Sequence, residues 1–338
     1  MKRIFMAALV VLCCQCQNPQ PTPESSQEVV AAPAPESPEP QFTLTSEQTH
    51  NKFSSTIEPV VTVPSGAIVE AFTEEATDRQ LKLNSPIEDL ENVSFDPVHP
   101  LTGPVFVEGA QPGDMLAVTL HEIEIGSWGW TAVIPGFGFL ADRFDQYVLK
   151  TYDLEHNNKV LDFNDQVKIP LKPFPGVMGV APATDSLLNT IPPRANGGNM
   201  DNPFLTKGTT VYFPVLVEGG LFSIGDAHAV QGLGEVCGTA VEAPMRIVYE
   251  IELIKGRTIP EPQYETADYY AVTAFGTTLD IAAKKATEFM VDHLVHQRNL
   301  TEEEAYMLCS LAGDLHIAEV VDLPHVLVAM HIPKNIFK

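Results

Sequence analysis

The sequence predicts an α+β protein that is predominantly β: an antiparallel sandwich or barrel-like body with helices near its carboxyl end. Three observations carry this. Short apolar runs recur from about residue 42, separated by Gly, Pro, Asn and Asp. A helical period emerges only after about residue 278. Of the 338 residues, 44% are hydrophobic, enough for one large core or two modest ones.

The strand-like runs, in order, are IEPVVTV, PVFVEG, MLAVTLHEIEI, VYFPVLV, LFSIGD, EVCGTAVE and RIVYEIELI. In MLAVTLHEIEI the apolar phase changes between Leu120 and Ile123, which predicts a bulge or a strand buried on both faces. From Thr278 to His296, Leu279, Ala283, Ala286, Met290 and Leu294 fall along one helical face. Thr301 and Glu304 have capping-box spacing, and Ala305, Leu308, Cys309 and Ala312 follow at helical intervals. HVLVAMHI is expected as a closing strand. The folded body is thus placed at 42–338, β-rich to about 256 and α/β over 257–338, with no internal repeat.

Residues 1–16, MKRIFMAALVVLCCQC, have two basic residues, an apolar run too short to span a bilayer, and then cysteines. That is the layout of a secretory signal peptide, here with lipoprotein-type cysteines: Cys14 is the favoured attachment site and Cys16 the second. Residues 17–41, rich in Pro, Glu, Ser and Gln, are expected to form a disordered tether. The implied address is exported and membrane-anchored, periplasmic or cell-surface, with membrane contact through the lipid alone. The formal net charge of −24 excludes nucleic acid as a partner, because phosphate binding needs the opposite sign. Cys237 and Cys309 are free to pair in an oxidising compartment or to stay as buried thiols. Homo-oligomerisation is left open.

Ligand-type residues gather on loosened backbone in TSEQTHN (His50, Asn51), DPVHP (Asp96, His99), GGNMD (Asn199, Asp201) and GDAHAVQGLGE (Asp226, His228, Gln231, Glu235). In extended chain, residues i and i+2 share a side, so Asn199 with Asp201, and Asp226 with His228, can each present two groups to one point. Imidazole nitrogen with carboxylate oxygen is the ligand set of a catalytic zinc or similar divalent ion, and a nearby carboxylate could shuttle protons. Each segment also reads as ordinary turn chemistry. No G-x-S-x-G elbow is present, and Cys237 has no cation close in sequence to favour a thiolate. Trp128 and Trp130 share a side of an extended segment and are expected to pack in the core or staple a loop.

GDAHAVQGLGEVCGTAVE resembles the signature of the acetamidase/formamidase family, a Gly-Asp-x-His-x-x-Gln-Gly-x-Gly-Glu core present from Gly225 to Glu235. VHPLTGPVFVEGAQPGD, PFPGVMGVAP, GGNMDNPFLTKGTTVYFPV and EEAYMLCSLAGDLHIAEVVD are similar to further family blocks. The resemblance spans about residues 45–338. It implies metal-dependent hydrolysis of a small neutral amide, of formamide or acetamide type, to carboxylate and ammonia on a β-rich fold. On that basis Asp201, Asp226, His228 and His50 are the expected metal ligands. Glu235 is the expected general base or orienting residue, His99 the group that polarises substrate, and Asn199 and Gln231 the substrate-binding residues. The expected ion is zinc, with calcium at a second site. The rival reading is a ligand-binding surface lipoprotein that has kept the fold and lost hydrolysis.

Overall fold

Two β-sheets face each other across a common core, and neither closes into a barrel. The computed structural model describes residues 37–157 and 159–338, so the expected signal segment, Cys14, Cys16 and most of the tether lie outside the described residues. The larger sheet has nine strands in the order Phe42–Leu44, Ala67–Thr73, Met245–Ile254, Met115–Ile125, Thr210–Pro214, Gln263–Glu265, Tyr269–Gly276, Val326–Pro333 and Asp314–Glu319. All its pairings are antiparallel except Phe42–Leu44 with Ala67–Thr73. The smaller sheet runs Gly197–Asn199, Phe174–Gly179, Phe222–His228, Leu101–Val107 and Thr49–His50, with Val61–Val63 added in parallel to Leu101–Val107.

The two sheets meet through alternate inward side chains, as period-2 strands require. Phe222 of the smaller sheet lies 5.5 Å from Phe213 and 5.4 Å from Tyr249 of the larger one, measured between ring centroids. Val105, Met178 and Ile224 pack into the same buried cluster as Val69, Leu116 and Val118. The phase change in MLAVTLHEIEI is a bulge: Val248 pairs with Glu122 but Tyr249 with Leu120, which leaves His121 as the extra residue. EVCGTAVE, expected as a strand, is a loop. Positive φ at Gly234 (95°), Glu235 (44°) and Gly238 (85°) takes it out of extended geometry.

Two helices, Leu279–Arg298 and Glu302–Ala312, cover part of the larger sheet. Ala282, Ala286, Met290 and Leu294 are fully buried against Val272, Ala274, Val328 and Met330. Ala283 and Leu279 are half-buried beside them, so the apolar stripe is one residue broader than the sequence pattern indicated. The second helix starts with the expected capping box, Thr301 and Glu304 exchanging side-chain and backbone hydrogen bonds. The closing strand is Val326–Pro333. Residues 257–338 therefore complete the larger sheet and, with the two helices, bury a second apolar cluster of their own against it. No helix among the described residues is long and apolar enough to cross a membrane.

Met290 is the central contact of this helix–sheet layer. Met290→Ala is expected to lower the unfolding free energy by about 2–5 kcal/mol. The measurement is the urea midpoint, read against an unchanged slope.

Candidate active site

The smaller sheet builds the site where its ladder is interrupted. Phe174 pairs with His228, Pro175 with Ala227 and Val177 with Gly225, which sets Gly176 opposite Asp226. Asp226 leaves extended geometry, with φ of 48°. Val177 also pairs with Asn199, so the chain reaches Asp201 just beyond the end of that strand. Only glycine fits at 176: a Cβ there would stand 2.4 Å from Asp201 Oδ1, 2.7 Å from the Asp226 carbonyl and 2.8 Å from His228 Cε1.

His228 is the centre of the cluster. Its Nε2 lies 3.0 Å from Glu242 Oε2 and 3.7 Å from Asp226 Oδ2, and its Nδ1 3.6 Å from Asp201 Oδ1. Gln231 sets the tautomer. Its amide nitrogen donates to the Asp201 carbonyl at 2.7 Å, so its oxygen faces His228 and accepts from Nδ1–H at 2.8 Å. The other ring nitrogen, Nε2, is thereby turned toward the carboxylates. Phe174 meets the ring edge-on at 5.1 Å between centroids and fixes its plane.

Three groups bring potential ligand atoms within 4.8 Å of one another: Asp201, Asp226 and His228; His228, Glu235 and Glu242; and Asp201, Glu235 and Asp322. All six residues are buried. Asp201 Oδ1, Asp226 Oδ1, Glu242 Oε2, Asn199 Oδ1 and His99 Nδ1 are buried without a hydrogen-bond partner. The Glu242–His228 contact is therefore close but misaligned for a hydrogen bond. Asn199 donates to Asp322 Oδ2 at 2.8 Å, and Glu319 accepts from the backbone N–H groups of Val321 and Asp322, shaping the loop that delivers Asp322.

Burial divides these acids. It raises Asp201 to about 6 and, helped by the Asp201 charge, lifts Glu235 well above the ordinary carboxylate range. Burial also lifts Asp322, reinforced by Asp201 and Glu319, and it raises Glu242. At Asp226 burial is outweighed by the His99 and His228 rings, which hold it at about 2. At His228 burial is outweighed by Glu242 and Asp226, which push the imidazole well above its usual value.

The cluster floors a cavity of about 60 Å³. Its walls are apolar, with Val98, Trp130, Ile134, Phe137 and Ile191 prominent. His99 reaches in from the side, its Nε2 3.8 Å from Asp226 Oδ2 and its backbone N–H donating to Thr190 Oγ1. Trp130 is buried, as expected, and donates from Nε1 to Glu75 at 2.8 Å.

A model of the acetamidase/formamidase family matches residues 37–189 and 183–338. The chain belongs to this family and is an amidase. An acetamidase of Mycolicibacterium smegmatis is 29% identical over 61% of this chain and 66% of its own length. A formamidase of Methylophilus methylotrophus is 25% identical over 86% and 90%. The crystal structure of an acetamidase from Bacillus halodurans superimposes with a TM-score of 0.82 at 32% identity, covering 87% of this chain and 98% of the other.

In this amidase, Asp201, Asp226, His228, Glu235, Asn199 and His99 converge on one cavity. His50 does not join them. Its Nδ1 faces the Lys52 carbonyl at 2.7 Å and its Nε2 the Ser223 hydroxyl at 2.8 Å, so neither nitrogen is free, and burial lowers its pKa to about 4. Gln231, expected to bind substrate, instead orients His228. Cys237 and Cys309 are free thiols. Sequence reasoning missed Glu242 and Asp322. Both stand in quoted stretches, as the last residues of GDAHAVQGLGEVCGTAVE and of EEAYMLCSLAGDLHIAEVVD, where an acid after an apolar run was the available signal.

Gly176→Ala tests the geometry. The added methyl must displace Asp201 or His228, so amide turnover is expected to fall about a hundredfold or more while the circular dichroism spectrum is unchanged. Near-normal turnover would show that the Gly176 contact does not hold the cluster in place.

Proposed function

We propose that this amidase hydrolyses the C–N bond of a small neutral linear amide with a divalent ion bound by Asp201, Asp226 and His228, zinc before others. The observation that carries this is the set of buried, unpartnered oxygens of Asp201, Asp226 and Glu242 around an imidazole whose tautomer Gln231 has set. An unpaired buried carboxylate is costly. The mixed nitrogen and oxygen donors suit zinc. When bound, such an ion polarises the carbonyl and lowers the pKa of a water toward 7.

The chain's own residues do the rest. A water needs at least about 10–15 Å³, so about 60 Å³ admits a molecule of about four heavy atoms, the size of acetamide. The apolar walls take the acyl group, and the buried carboxylates repel an anionic substrate. Burial and the Asp201 charge push Glu235 toward its protonated form. It is thus set to give a proton to the departing nitrogen, without which an amine cannot leave. Asp226 remains ionised beside His99 and keeps that ring facing the cavity.

Ammonia release from formamide, acetamide and propionamide should be measured on residues 42–338 with and without chelator. Turnover is expected for the two smaller amides, to fall with propionamide, and to be abolished by chelation and restored by zinc. His228→Ala should lose metal and activity together. Glu235→Gln should keep the metal and lower kcat about 10²- to 10⁴-fold. Stoichiometric metal with no ammonia from any short amide would favour a ligand-binding role.

The proposal extends to export and lipid anchoring at Cys14 or Cys16, which rests on the MKRIFMAALVVLCCQC segment. Radiolabelled palmitate should enter the full chain in the membrane fraction and be lost in the Cys14→Ser, Cys16→Ser double variant. A labelled double variant would remove both cysteines as the anchor.

A further inference from the structure

Behind the loop that carries Gln231 and Glu235 lies a second cavity, of about 240 Å³. It shares Glu235 and Thr239 with the catalytic cavity, so residues 231–239 form the partition between the two. Its far side is apolar: Leu161, Phe163 and Ile169 from the hairpin of strands Val160–Asn164 and Val167–Pro170, with Val230 and Val241 beside the loop. Thr131, Gln231, Glu235 and Thr239 line the side toward the loop, and Tyr152 and Cys237 add two further polar side chains. Tyr152 is 8% exposed, and its hydroxyl is buried without a hydrogen-bond partner. Burial and the neighbouring Cys237 thiol raise the phenol to about 12, so it stays a donor across the physiological range. Cys237 Sγ faces the backbone oxygens of Thr239 at 3.3 Å and Ala132 at 3.5 Å, and Cys237 is half-buried at the cavity edge.

The partition is tied at several points. Gly234 N–H donates to the Ala318 carbonyl and Val320 N–H to the Gly234 carbonyl, which tie the loop to the Asp314–Glu319 strand and its continuation. Phe139 N–H donates to the Val236 carbonyl, and the Thr239 hydroxyl bonds the Ala132 backbone, while among the described residues no backbone bond from Gly232 or Leu233 to another element spans the stretch between. We propose that this cavity is a second, non-catalytic ligand site for a small apolar molecule carrying one hydrogen-bond acceptor, which the Tyr152 hydroxyl engages, and that its occupant acts on the amidase through the Gln231–Glu235 loop. Apolar walls with a few convergent polar groups are the usual make-up of a small-molecule pocket. A buried hydroxyl with no acceptor is destabilising until one is supplied. The occupant reaches no substrate atom, so its effect is on turnover and not on substrate binding.

The probe is cyclohexanone, a ketone that offers one acceptor and no bond an amidase can cleave. N-ethylmaleimide alkylates Cys237 at the cavity edge, and peptide mass spectrometry reads that position separately from the other cysteines of the full chain. Cyclohexanone is expected to slow alkylation of Cys237 in a saturable way. Tyr152→Phe, which removes a hydroxyl that holds nothing else in place, should weaken that protection about five- to tenfold at an unchanged thermal midpoint. Absence of protection, or equal protection in Tyr152→Phe, overturns the site. The kinetic arm alone rests on the amide-hydrolysis reading: cyclohexanone should lower kcat with KM unchanged, and less so in Tyr152→Phe. A purely competitive pattern would place the ketone in the catalytic cavity and overturn the coupling, while the alkylation result would still decide the site.

Discussion

Asp201, Asp226, Glu235, Glu242 and Asp322 bring five carboxylates to the walls of one cavity with His228 and His99 as the only imidazoles among them. Charges of one sign at such distances cannot all persist in a buried site. Burial and the neighbouring rings divide them between neutral and ionised forms. Burial lifts Glu235, Glu242 and Asp322 toward their neutral forms, while the two histidine rings keep Asp226 ionised. Groups pushed toward their neutral forms thus stand close to one held ionised, and both states follow from the same crowding.

Holding that crowding together requires backbone that ordinary strands do not adopt. Asp201, Asp226 and Glu235 all have positive φ, at 38°, 48° and 44°. Each such residue costs of order 1 kcal/mol or more, and such conformations concentrate at functional sites. The paired strands on either side over-determine them: Gly225 and Ala227 stay in register with Val177 and Pro175 while Asp226 between them turns. Gly176 supplies the empty volume into which Asp201 and His228 project. The paired strands of the smaller sheet therefore offset the strain, and the larger sheet packs against them across the common core.

Much of this was legible in the chain. Apolar runs with turn residues between them marked the β body, and the capping box at Thr301 marked the second long helix. Asp201, Asp226, His228 and Glu235 stood out because polar groups on glycine-rich backbone interrupt apolar sequence. What was hidden depended on contacts distant in sequence. Asp322 lies two helices and four strands beyond Glu235 and reaches the site because the Asp314–Glu319 strand bridges Gly234 through Glu319. Glu242 read as the polar end of a strand that is in fact a loop. The Gln231 side chain is set by the carbonyl of Asp201, thirty residues earlier. His50 had the right chemistry in the wrong register, since its pairing with Leu101 brings it to Ser223 and not to the cluster.

Another buried carboxylate beside the cavity, Glu75, is treated differently by the fold. Glu75 is fully buried beside the same cavity, yet both its oxygens are satisfied. The Thr77 backbone and hydroxyl donate at 2.9 and 2.7 Å, Arg79 N–H at 2.7 Å and Trp130 Nε1 at 2.8 Å. That carboxylate has a structural task, fixing Thr77 and Trp130 in the cavity wall, and the fold surrounds it with neutral donors as a permanently buried acid requires. Asp201, Asp226 and Glu242, a few residues of wall away, each keep a buried oxygen without a donor. The chain thus saturates Glu75, which only shapes the pocket wall, and leaves oxygens of Asp201, Asp226 and Glu242 open in the cavity lining, as it does one oxygen of Glu319, whose other oxygen holds the Asp322 loop.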